Sequence, residues 1–215
     1  MNIINKSDKF ELPVKKNSYI IPILAVVLLV VCFLFFYIST NVMTKDVEMP
    51  TTIKVYRNAT GQIDTVDFKY YVKNVITNEV YPSWNENSLK AMAMVIKTYG
   101  WYWTIHQKYP GQGYDVKDTF VDQKYVPGSQ DPRSDKAVDD TWNYMLKMNG
   151  EIFESEYDSG TKGKIEPLYA GRLSQWGSKF LADQGNDWQY ILHYYYDPRG
   201  TINIIYLYRY LLFTS

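Results

Sequence analysis

Residues 70–103 read YYVKNVITNEVYPSWNENSLKAMAMVIKTYGWYW, and this stretch decides the fold class. Val72, Val75, Ile76 and Glu79 fall at i, i+3, i+4 and i+7, which is one face of a short helix. Pro82 ends it, since proline has no N–H to donate and its ring collides with the preceding turn. Ser83-x-x-Glu86 has the form of a capping box and predicts a second, longer helix carrying Leu89, Met92, Ala93, Ile96 and Trp103 on one side.

On the N-terminal side the period changes to two. Ile53-Lys54-Val55-Tyr56 and Ile63-Asp64-Thr65-Val66-Asp67-Phe68 alternate around Asn58-Ala59-Thr60-Gly61, a hairpin signal. On the other side Gly111, Gly113, Pro127, Gly128 and Pro132 mark a long loop-rich region. Residues 135–148 read as a helix, 151–157 as a strand, and Asp158-Ser159-Gly160 as a turn. Residues 174–182 and 187–194 read as helices, the latter capped by Asp187, and 201–213 as a strand. Short strands mixed with helices, without repeated βαβ units, predict an α+β fold.

Residues 20–38, IIPILAVVLLVVCFLFFYI, carry no charge. Nineteen residues in a helix cover roughly 28 Å, close to a hydrocarbon core of about 30 Å. Lys6, Lys9, Lys15 and Lys16 precede the run against Asp8 and Glu11, so the positive-inside rule puts the N-terminus in the cytoplasm. No small-residue cleavage site follows, and an uncleaved anchor is expected. The organisation read from the sequence is a cytoplasmic tail (1–19), a transmembrane helix (20–38), a tether (39–51) and an extracellular domain (52–215) of a single-pass cell-membrane protein.

Composition narrows the function. Lys+Arg and Asp+Glu are both 23, so no broad basic face is available for a nucleic-acid backbone. The single cysteine, Cys32, falls in the apolar run, and the only histidines are His106 and His193. No cysteine-based metal site and no intramolecular disulfide can form, and no cofactor is expected. Glu79 stands out because it continues an apolar helical face and is followed by Val80, Tyr81, Pro82 and Trp84. A carboxyl so placed is either a partly desolvated acid, suited to protonating a leaving group, or a solvated carboxylate at a helix end.

The segment Tyr71-Val72-Lys73-Asn74-Val75-Ile76-Thr77-Asn78-Glu79-Val80-Tyr81-Pro82-Ser83-Trp84, followed by Ser88-Leu89-Lys90-Ala91-Met92-Ala93 and Lys97-Thr98-Tyr99, resembles the signature of the stage II sporulation protein D (SpoIID/LytB) family. Asp122-Gln123-Lys124-Tyr125, Ala137-Val138-Asp139-Asp140-Thr141, Tyr157-Asp158-Ser159-Gly160 and Leu173-Ser174-Gln175-Trp176-Gly177 resemble later family elements in the same order. The resemblance implies a lytic transglycosylase-like domain acting on peptidoglycan, with Glu79 as the acid. Ser174 and Gln175 are then partners for saccharide hydroxyls or helix-capping residues, and Trp84, Trp176 and Tyr157 can stack on sugar rings or pack in the core. Tyr169 and Arg172 occupy positions where the family commonly has histidine and glycine, and Lys97 stands where it has arginine. Some members hold zinc through Cys and His, and that site is not carried over. The expected partners are glycan strands, the membrane through one span, and an amidase or other wall proteins. Two other classes remain: a non-catalytic glycan-binding module or amidase enhancer of the same fold, and a structural subunit of a membrane assembly.

Overall fold

The computed structural model describes residues 26–33, 48–165, 170–197 and 200–207. The chain divides into two compact units, Met1–Asp46 and Val47–Ser215. In the first, residues 26–33 are helical, and the rest of the span expected over 20–38 lies outside the described residues. Among the described residues no helix is long and apolar enough to cross a membrane.

The second unit is α+β. The hairpin pairs β1 (Thr52–Arg57) antiparallel with β2 (Gln62–Asp67), and β3 (Val116–Lys117) adds to the other edge of β1 in parallel. The hairpin turn closes through Gly61, whose φ of +71° is in the left-handed region that glycine adopts without strain. Asp67 caps α1 (Phe68–Glu79), its side chain accepting from the Tyr70 N–H at 2.8 Å. The chain therefore passes from strand to helix without a loop.

The long helix α2 (Glu86–His106) runs through the middle of the unit and touches β1, α1, α3, α4 and α5. It is apolar nearly all round from Leu89 to Ile96, as a helix enclosed by neighbours must be. Gly100 permits that enclosure, for a Cβ there would meet the Phe68 ring at 3.1 Å and Ile53 Cδ1 at 3.5 Å. The helix starts differently from the expected capping box. Its N-cap is Asn85, which accepts from the Asn87 N–H at 3.0 Å, while Ser83 lies in the turn that Pro82 begins. In that turn the Trp84 N–H donates to the Tyr81 carbonyl at 3.0 Å, with proline at its favoured second position.

The helix expected over 135–148 is two elements. α3 (Pro132–Thr141) ends early, and β4 (Tyr144–Met148) pairs antiparallel with β7 (Ile202–Tyr206). A short apolar run such as Tyr144-Met145-Leu146-Lys147-Met148 is ambiguous by periodicity, and the distant partner strand decides it. The strand expected at 151–157 is largely irregular chain, and only its end contributes to β5 (Tyr157–Asp158). That strand pairs in parallel with β6 (Leu173–Ser174), and α4 (Gln175–Asp183) and α5 (Trp188–Tyr196) follow. The strand expected over 201–213 is ordered as β7, and its last residues lie outside the described ones.

Candidate functional site

Glu79 is the last residue of α1, and three separate parts of the chain meet at its carboxyl. The Lys124 backbone N–H donates to Oε1 at 2.7 Å, and Gln175 Nε2 donates to Oε2 at 3.0 Å. The Tyr157 hydroxyl is buried nearby and favours the ionised form, although it makes no hydrogen bond of regular geometry. Among the described residues Glu79 forms no ion pair. Burial raises its pKa above the ordinary value of 4.5, and the neutral donors and the more distant Lys124 charge offset this only in part. A carboxylate offers about four acceptor positions, and two are occupied here.

The loop supplying the Lys124 N–H is anchored by the two residues that precede it. Gln123 is fully buried, accepts from Tyr71 Oη at 2.9 Å and donates to the Ile96 carbonyl at 3.3 Å. The carboxylate of Asp122, wholly enclosed, accepts from Lys108 Nζ at 2.6 Å, the Lys117 N–H at 2.7 Å, Tyr109 Oη at 2.9 Å and Tyr99 Oη at 3.2 Å. With these two preceding residues pinned, the Lys124 N–H points at Glu79 with little freedom. On the other side the β5–β6 pairing sets Tyr157 against Leu173 and Asp158 against Ser174, which carries Gln175 to the Glu79 carboxyl.

Ser174 and Gln175 part company. Of the two roles open to Ser174, it has helix capping: its hydroxyl accepts from the Gly177 N–H at 3.0 Å and it is 1% exposed. Gln175 holds Glu79 instead of facing solvent. Trp84 and Trp176 come together at 4.8 Å between ring centroids, and Tyr81 joins them at 5.9 and 6.4 Å. Tyr81 is exposed, the two tryptophans are half-buried, and Lys162 Nζ lies 5.5 Å from the Trp176 ring. This aromatic surface follows Glu79 by two and five residues and Gln175 by one. Tyr157 lies apart from the trio, its ring edge-on to Tyr99 at 6.5 Å. Tyr169 lies outside the described residues, and Arg172 is exposed, 3.5 Å from Asp158 and 3.8 Å from Glu156.

Three contributors were not singled out by sequence. Tyr81 could have been noticed from its place beside Trp84. The backbone N–H of Lys124 and the burial of Gln123 have no residue-level signal, because they depend on how a loop is tied down.

Residues 56–147 match the family model of SpoIID, described as stage II sporulation protein. This segment is similar to the SpoIID family. It contains Glu79 and the 122–124 anchor, while Tyr157, Ser174 and Gln175 come after the matched SpoIID residues. The chain is also 34% identical over 95 residues to a Bacillus subtilis (strain 168) protein named amidase enhancer. That match covers 44% of this chain and 12% of the relative, so the chain spans a small fraction of that protein's length.

Proposed function

We propose that this chain is a cell-surface protein, held by one N-terminal membrane span, whose SpoIID domain binds peptidoglycan glycan strands and cleaves them as a lytic transglycosylase. The observation that carries the reading is the state of Glu79: desolvated, held by neutral donors alone, and adjoining an exposed aromatic surface. Tyr81, Trp84 and Trp176 offer faces on which sugar rings stack. Glu79, protonated, gives its proton to the glycosidic oxygen as the anomeric C–O bond breaks. The substrate's C6 hydroxyl forms the new bond to the anomeric carbon and returns its proton to the carboxylate. The sugar supplies the nucleophile, so the second carboxylate of an ordinary glycosidase is not required. Gln175 and the Lys124 N–H keep the carboxyl oriented through both transfers, and Gln175 is a positioning residue in this scheme.

The relative named amidase enhancer supports a second reading, in which the same surface binds glycan and assists a partner amidase without cutting. One experiment separates them. The full chain is incubated with intact and peptide-stripped glycan, and the products are analysed by mass spectrometry. Anhydro-ended fragments are expected for the transglycosylase. Glycan binding without such fragments supports the enhancer reading.

A further inference from the structure

Tyr157 has a second neighbourhood. It lines a cavity of about 190 Å³ together with Tyr99, Lys108, Asp122, Glu154, Glu156 and Arg172. Small-molecule sites commonly run to about 300–1,000 Å³, so this space suits one chemical group and not a whole strand. The charges that line it do not balance. Lys108 and Asp122 neutralise each other at 2.6 Å, and Lys108 also donates to Tyr99 Oη at 2.8 Å. Arg172 stands between Glu156 and Asp158 at 3.8 and 3.5 Å. Glu154 is left over. It is half-buried, and among the described residues its carboxylate accepts no hydrogen bond and enters no ion pair. Burial and the neighbouring Glu156 both disfavour its charged form, and the Lys108 charge, already paired with Asp122, offsets this only in part. An unpaired carboxylate in a confined space is unfavourable until a cation reaches it.

We propose that this cavity binds a primary ammonium group, with Glu154 as its counter-ion and Tyr99 and Tyr157 in its lining. The chemistry selects among cations. Among the described residues no three His, Cys, Asp or Glu side chains are grouped to hold a metal ion, whereas a carboxylate without an ion pair in a cavity that two tyrosines help to line suits a compact ammonium. Arg172 already fills the place beside Glu156 and Asp158 that a planar guanidinium would take. Two parts of a wall polymer carry such a group: a glucosamine that has lost its acetyl, and the side-chain amine of a peptide stem. The cavity rests on the glycan reading only for that source, not for its own chemistry. Because Tyr157 belongs to both the cavity and the Glu79 surroundings, an ammonium held here would set the register of a bound strand at the acid.

The test titrates the full chain with four probes: a glucosamine oligomer, its fully N-acetylated counterpart, a short peptide with a free lysine side chain, and the same peptide with that amine acetylated. At least one amine-bearing probe should bind about tenfold tighter than its acetylated form, the worth of a hydrogen bond to a charged group. Glu154→Gln keeps the shape of the cavity and should remove that preference, with an unchanged melting temperature as the control for folding. Which pair shows the preference identifies the source. Equal binding of amine and acetylated probes by the wild type, or an undiminished preference in Glu154→Gln, overturns the proposal. Failure of the N-acetylated oligomer to bind, with the lysine preference intact and dependent on Glu154, would count against the glycan reading alone.

Discussion

Lys97 in the middle of α2 and Glu79 at the end of α1 are both ionisable and both withdrawn from water, yet the fold treats them differently. Lys97 is 2% exposed, and its three protons go to three carbonyls, of Thr141 at 2.8 Å, Trp142 at 3.1 Å and Tyr144 at 2.5 Å. The ammonium ends α3 by taking carbonyls that would otherwise continue the helix, and it lies 5.4 Å from the Trp142 ring. Burial pushes its pKa down to about 7, and the charge of Lys69 pushes it the same way. Nothing on Lys97 is left for a ligand. Glu79 has only two neutral donors and keeps acceptor positions open. A buried charge with every valence met is structural, and one met in part, on the edge of an aromatic surface, is available for chemistry. The carbonyl cage also accounts for a lysine at this position, since a compact ammonium matches three convergent acceptors.

The largest effect expected from breaking this contrast is on the acid. Glu79→Gln keeps size and hydrogen bonding, because the Gln175 amide can turn to offer its oxygen, but it removes the transferable proton. Glycan cleavage should fall by about 100-fold or more while binding survives. Equal cleavage by mutant and wild type would remove Glu79 from the mechanism.

Next comes the cage. Lys97→Met leaves three carbonyls without their donor and should lower stability by about 3 kcal/mol, measured by denaturant unfolding. A change within about 0.5 kcal/mol, the scatter of ordinary surface substitutions, would show that the cage does not hold α3 in place. Ser174→Ala removes a helix cap and should lower stability by about 1 kcal/mol without changing glycan affinity. A loss of affinity with no loss of stability would return Ser174 to the binding surface.

The smallest effect is on the pH dependence of stability. A carboxyl whose pKa is raised on folding binds more protons in the native state than in the unfolded one, at pH values between 4.5 and its folded pKa. Its contribution to stability therefore falls as pH rises through that window. Unfolding of wild type and Glu79→Gln compared from pH 4 to pH 7 should show the difference moving in favour of the mutant as pH rises. A difference that moves the other way would mean that the carboxylate is net stabilised by its donors.

The parts of this arrangement legible in the sequence are those governed by neighbours in the chain. The hairpin, α1, α4 and α5 follow from alternation, a 3.6-residue period and the Asp187 cap, and Glu79 could be picked out because it continues an apolar face. Readings failed where a distant partner decides. Tyr144–Met148 becomes a strand because β7 lies against it, and α3 stops at Thr141 because a lysine 44 residues earlier takes its carbonyls. The Glu79 environment is of the second kind, since Gln175 is 96 residues away and the Lys124 N–H is aimed by the anchoring of Asp122 and Gln123. Ser174 illustrates the remaining ambiguity: a serine before a helix reads equally as cap or ligand until its hydroxyl is placed.

The central claim is that Glu79 is kept protonable by burial among neutral partners, and it can be tested without any assumption about substrate. The full chain, labelled with carbon-13 at glutamate side chains and assigned at this residue through Glu79→Gln, is titrated by NMR. The expected midpoint for Glu79 lies above the ordinary value of 4.5. A midpoint at or below that value would show a carboxylate stabilised in its charged form, and would contradict its role as the acid.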